Sequence, residues 1–129
     1  MIMEFRVVNV KDTSYYDECK SENALYCELK YKRDCCSFAA MVFEFTEDSI
    51  EATYDNKRIE RVITSIGKYD SLRIGCDETY INSIVDKYSE SKPSVGIKIH
   101  FLIYSDVRSC QIIFERLTEL ILFMVDKDL

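Results

Sequence analysis

Hydrophobic and polar positions change their period several times along the chain, and each change marks an expected element. Met3, Phe5 and Val7 alternate with Glu4 and Arg6, the two-residue period of a half-buried strand, so β-structure is expected over 3–10. Residues 11–23, KDTSYYDECKSEN, are polar without a convincing period and read as a loop with room for a short helical turn. ALYCELKYK then alternates cleanly, with Leu25, Cys27, Leu29 and Tyr31 on one face and Tyr26, Glu28, Lys30 and Lys32 on the other. After the polar break at Arg33 and Asp34, the run from Cys36 to Phe45 is apolar on both faces until Glu44, the pattern of a central strand covered on two sides. Glu47 and Asp48 then turn the chain into a partner strand, SIEATY.

RIERVITSIGKYD carries two signals at once. Its β-branched content suits a strand, but Ile59, Val62, Ile63 and Ile66 have helical spacing, which favours a short helix ending near Gly67. SLRIGC is a short strand candidate. In DETYINSIVDKYSES, Asp77 can cap a helix that carries Ile81, Ile84, Val85 and Tyr88 on one face. Pro93 and Gly96 punctuate the chain before GIKIHFLIYS, which reads as a central strand. From Asp106 to Asp126, Val107, Cys110, Phe114, Leu117, Ile121 and Met124 recur at intervals of three and four, with Ile113 and Leu120 widening the stripe. With strands first and no strict βαβ repeat, the expected fold is one α+β domain over 1–129, a largely antiparallel sheet with a C-terminal amphipathic helix packed on it.

Composition narrows the function classes. The 129 residues suit one core, and 17 basic against 23 acidic residues give a net charge of -6, which disfavours direct binding to nucleic acid or to anionic membrane. The opening MIMEFRVVNV lacks a leader pattern and LILFMV is too short to span a bilayer, so a cytoplasmic protein is expected. In that compartment the six cysteines, at 19, 27, 35, 36, 76 and 110, are expected to be reduced structural thiols. Cys35 and Cys36 form no CxxC pair, and adjacent cysteines are badly placed to bind one tetrahedral metal together.

His100 is the only histidine and lies opposite in parity to Ile97, Ile99 and Phe101. A general base needs an oriented partner and a nucleophile, and the sequence supplies neither. Glycine-rich phosphate loops, GxSxG elbows and zinc spacings are all missing. The expectation is therefore a protein without catalytic residues, cofactor or metal. Above background stands an acidic surface interleaved with tyrosine: Tyr15, Tyr16, Asp17 and Glu18 in one loop, then Glu47, Asp48, Glu51, Tyr54 and Asp55 around a strand. Tyrosine supplies contact area with a polar tip, and carboxylates steer and pair with a cationic partner. The plainer account of the same residues is a solvated face with half-covered tyrosines.

A small acidic chain with the strands ALYCELKYK and SFAAMVFEF and the closing helix DVRSCQIIFERLTELILFMV resembles the immunity proteins of bacterial contact-dependent growth inhibition and related polymorphic toxin systems. The resemblance is one of overall pattern and carries over no site residue. It implies a stoichiometric inhibitor of one cognate toxin domain, often a basic nuclease, acting by occlusion of the active site or substrate surface. Two rivals stand beside it. An acidic secretion chaperone that binds an effector protein typically begins with an amphipathic helix, whereas this pattern begins with a strand. A small enzyme would need His100 to converge with a cysteine or carboxylate.

Overall fold

The computed structural model describes residues 3–32, 36–47, 51–55, 60–65 and 71–127, with side chains as far as Val125. Among these, β1 (Met3–Asn9), β2 (Leu25–Tyr31), β3 (Phe38–Thr46), β4 (Ala52–Tyr54), β5 (Arg61–Ser65), β6 (Ser71–Gly75) and β7 (Gly96–Ser105) form one sheet in the order β1-β2-β3-β7-β6-β5, with β4 beside β7 off that path. Three helices accompany it: α1 (Tyr16–Cys19), preceded by a 3-10 turn at Val10–Asp12, α2 (Glu78–Glu90) and α3 (Gln111–Lys127). The domain is α+β with a mostly antiparallel sheet and a C-terminal helix against it, as the pattern predicts. No described helix is long and apolar enough to cross a membrane.

β7 is the spine of the sheet. One of its edges pairs with β3, while the other is shared by β6, antiparallel over Leu102–Ser105, and β4, parallel over Ile97–Ile99. SIEATY thus yields a strand at Ala52–Tyr54, but its partner is β7 and not β3, because both edges of β3 are already taken by β2 and β7.

The expected helix in RIERVITSIGKYD is replaced by a strand. Arg61–Ser65 pairs antiparallel with β6, with a bulge between Val62 and Thr64, and its β-branched residues suit the pleated surface. Helical spacing alone misled here, since an available sheet edge gives each backbone group a partner that a short isolated helix cannot. Ile59, Ile66 and Gly67, used in that expectation, lie outside the described residues.

The two faces of the sheet are covered differently. Beneath α2 and α3 lie Cys27, Leu29, Met41, Phe43, Ile99 and Leu102, packed on Ile81, Ile84, Tyr88, Phe114, Leu117 and Ile121. Each such side chain contributes about 1.5–3 kcal/mol of burial, which is what holds the helices down. Asp77 caps α2, its carboxylate accepting the Tyr80 N–H at 3.1 Å. The helix α3 begins at Gln111 rather than Asp106, because the Ser105 hydroxyl accepts the N–H groups of Val107 and Arg108 at 3.3 and 3.0 Å and closes a tight turn there. Val107 is consequently exposed and outside the apolar stripe.

The opposite face carries Tyr26, Ala40, Val42, Ile74, Phe101 and Ile103, and the segment around α1 lies over it, bringing Tyr15, Tyr16 and Cys19 onto this second cluster. Both faces of β2 are therefore buried, although the alternation left Tyr26 and Glu28 on a polar side.

The cysteines also depart from expectation. Cys36 and Cys110 form a disulfide, with Cα atoms 5.3 Å apart, while Cys19, Cys27 and Cys76 are in the thiol form. The corner before α3 brings the two together: the Arg108 carbonyl accepts the N–H groups of Ser37 and Phe38 at 2.7 and 3.2 Å, and the Ser109 hydroxyl donates to the Phe38 carbonyl at 2.7 Å. Cys35 lies outside the described residues.

Candidate functional site

The acidic and aromatic residues singled out from the sequence separate into packing residues and surface residues. Tyr15 belongs to the first group. Its ring stacks on Tyr26 with centroids 5.4 Å apart and planes at 15°, and it tilts against Phe101 at 6.2 Å. Burial, and then the nearby Glu28 charge, push its hydroxyl above the usual phenol range. Tyr16 is half-buried against the same cluster. These two tyrosines pin α1 to the sheet.

Glu18 is likewise engaged, forming an ion pair with Arg61 at the start of β5. Together with Ser14, Tyr15, Ile63, Thr64 and Leu72 it lines a shallow groove of about 300 Å³ between α1 and the β5–β6 edge. Asp17, next to it, is exposed.

Of the second group, Glu47, Glu51, Tyr54 and Asp55 are all exposed, Tyr54 at 42%. Asp48 lies outside the described residues. The register of β4 on β7 fixes their level: Ala52 is opposite Ile97 and Tyr54 opposite Ile99, and the Asp55 N–H donates to the Ile99 carbonyl at 3.2 Å.

A separate polar cluster lies on the α1-covered face. Ser21, just after α1, donates its hydroxyl to Glu44 Oε1 at 3.3 Å, and the same oxygen lies 2.8 Å from His100 Nε2. Glu44 pairs in register with Lys98, and Lys98 in turn with Thr53 of β4. Glu47, Glu51 and Asp55 thus lie beside the first residues of β7, whereas Glu18 on α1 pairs with Arg61 at the level of Ile74 and Ile103.

His100 reaches this position through a bulge. Val42 pairs with Phe101 and Phe43 with Ile99, which leaves His100 as the extra residue. It shares its face with Phe101, not the opposite one as strict alternation predicts, since Phe101 belongs to the cluster beneath α1. The pairing with Glu44 supplies an oriented carboxylate, but the thiol of Cys76 donates to the main-chain carbonyl of His100 at 3.8 Å and not to the imidazole. Among the described residues no group of three or more His, Cys, Asp or Glu side chains is arranged to hold a metal.

Sequence reasoning missed a second charged cluster on the same face. Glu28 is only 7% exposed, and its carboxylate accepts from Arg6 Nε at 2.8 Å and from Lys30 Nζ at 3.1 Å, while the Arg6 guanidinium lies 5.7 Å from the Tyr26 ring centroid. The signal was present as opposite charges on neighbouring strands, but the Arg6–Glu28 register is set only by the pairing of β1 with β2. A third cluster sits at the far edge, where Arg73 bridges Asp106 at 2.7 Å and Glu60 at 2.9 Å, and the Tyr104 hydroxyl donates to Glu60. There the Arg73 hydrogen bond, followed by that of Ser71, holds the Asp106 carboxyl below its usual range.

No family model, curated protein or solved structure matches the chain.

Proposed function

We propose that this protein is an immunity-type inhibitor: it binds a cognate toxin domain of basic charge and neutralises it by covering the active site or substrate surface, with no chemistry of its own. The observation that carries the reading is the exposure of Glu47, Glu51 and Asp55 around the first residues of β7, where Thr46 pairs with Gly96, the Glu51 carbonyl accepts the Ile97 N–H and the Asp55 N–H donates to the Ile99 carbonyl, together with exposed Asp17 on α1. In a chain of net charge -6 such a surface attracts a cationic partner over a Debye length of roughly 8 Å and then pairs with its arginines. The sheet and its two-sided packing supply a rigid platform, so little ordering is required on binding.

The contact surface in this reading is Asp17, Glu47, Glu51, Tyr54 and Asp55, with Asp48 beside them in sequence. Tyr15, Tyr16 and Glu18 support it from behind by fixing α1. The test begins with co-purification of the tagged chain from its native host and mass spectrometry of whatever is retained in stoichiometric amount. A basic toxin domain is the expected result, and an unfolded effector would point to a secretion chaperone instead. With the partner in hand, the triple variant Asp17→Lys, Glu47→Lys, Glu51→Lys is expected to slow association at low salt by about tenfold or more, with a smaller change in dissociation. Association rates equal to wild type would remove this surface from the interface.

A further inference from the structure

The bond between Cys36 and Cys110 has surroundings that differ from those of an inert staple. Cys110 immediately precedes α3, so it lies at the positive end of a helix that runs from Gln111 to Lys127. Ser37, the residue after Cys36, lines a depression of about 240 Å³ with Lys30, Tyr31, Lys32, Phe38 and Arg108, three of these cations in an otherwise acidic protein. Lys30 also holds Glu28, but Lys32 and Arg108 border Ser37, the residue next to Cys36. Helix N-termini and neighbouring cations both favour thiolate over thiol, and a sulfur stabilised as thiolate is the better leaving group in disulfide exchange.

The backbone adds a third observation. Cys36 has φ 47°, in the left-handed region that non-glycine residues seldom occupy. The Arg108 carbonyl, accepting from both Ser37 and Phe38, together with the Ser109 hydroxyl on the Phe38 carbonyl, holds the two chain segments in place independently of the sulfurs. Phe114, Leu117 and Ile121, buried against the sheet, are further contacts that hold α3 besides the bridge.

We propose that Cys36–Cys110 is a site of reversible thiol–disulfide exchange with an anionic low-molecular-weight thiol of the glutathione class, which the Lys30, Lys32 and Arg108 depression attracts. A glutathione thiolate attacks one sulfur of the bridge, the S–S bond breaks, and the other sulfur leaves as a thiolate. A second glutathione thiolate then attacks the mixed disulfide and releases the remaining protein sulfur as a thiolate with one molecule of glutathione disulfide. Two electrons pass to the protein pair, and the thiolates take up protons from water. The reverse steps re-form the bridge at the expense of glutathione disulfide.

The experiment equilibrates the full chain in buffers of varied reduced to oxidised glutathione ratio, quenches with acid, alkylates free thiols and maps Cys36 and Cys110 by mass spectrometry. Circular dichroism is followed in parallel. The bridge is expected to pass between closed and open forms across these ratios, with an unchanged circular dichroism spectrum and a transient glutathione adduct. Lys32→Gln with Arg108→Gln, which keeps the main-chain contacts of residue 108, is expected to slow opening about three- to tenfold. A bridge that stays closed throughout, or opens only as the circular dichroism signal is lost, overturns the proposal. Opening at the wild-type rate in the charge variant overturns the role of the depression.

Discussion

Truncation of Tyr15 separates support of the surface from contact with a partner. The ring is half-buried between Tyr26 and Phe101. A fully buried aromatic side chain removes roughly 200 Å² from water, so about half of that, at roughly 25 cal/mol per Å², is worth about 2.5 kcal/mol. The stacked pair with Tyr26 adds about 0.5–1.5 kcal/mol, offset in part by the freedom that the loop regains. Tyr15→Ala is therefore expected to lose about 2–3 kcal/mol. With an unfolding entropy of roughly 2.1 cal/mol/K per residue, a chain of 129 residues should melt about 9 °C lower. Tyr15→Phe keeps the ring and should stay within about 1 kcal/mol of wild type. The assay is thermal unfolding followed by circular dichroism, with Asp17→Lys as a surface control expected to shift stability by no more than about 0.5 kcal/mol. A Tyr15→Ala variant that melts with wild type but binds its partner poorly would refute the assignment of this ring to packing.

Three further perturbations test other parts of the fold. Glu28→Gln leaves Arg6 and Lys30, which are 59% and 52% exposed, free to rehydrate and should cost about 1 kcal/mol, whereas Arg6→Gln with Lys30→Gln strands a carboxylate only 9% exposed and should cost about 3 kcal/mol; urea midpoints give the order. A Cβ added at Gly75 would lie 2.9 Å from the Glu60 Cα, so Gly75→Ala must push the start of β5 away from β6 and should lose about 1–3 kcal/mol in the same assay. Burial pushes the Tyr88 hydroxyl up to about 12 from its ordinary 10.0, so the folded state keeps a proton that the unfolded chain has released. Stability from this group is whole below pH 10.0 and falls as pH rises through about 12; Tyr88→Phe should flatten that alkaline decline while losing the bond to the Val95 carbonyl, as melting temperature against pH will report.

How far the sequence could be read depended on whether a local rule had a competitor. At Asp77 it had none: the cap residue and the apolar positions Ile81, Ile84 and Tyr88 agree, and α2 forms where they predict. In RVITS the helical spacing competed with β-branching, and the free edge of β6 decided for the strand. At His100 the alternation rule failed because a single bulge turned two consecutive residues, His100 and Phe101, onto one face. The candidate surface was half legible. Carboxylate and tyrosine content marked α1 and β4 as unusual, but alternation and composition do not distinguish a tyrosine that faces solvent from one that lies flat on Tyr26.

By itself the sequence determined the α+β class, the central place of β3 and β7, the amphipathic α2 and α3 and the net acidic charge, because period and charge are read directly from the residues. Tertiary structure alone decided the pairing of β4 with β7, the Arg6–Glu28 ion pair, the Ser21, Glu44 and His100 contacts and the Cys36–Cys110 bond. Each of these joins residues far apart along the chain, and their meeting depends on which strand edges remain open once the others have paired.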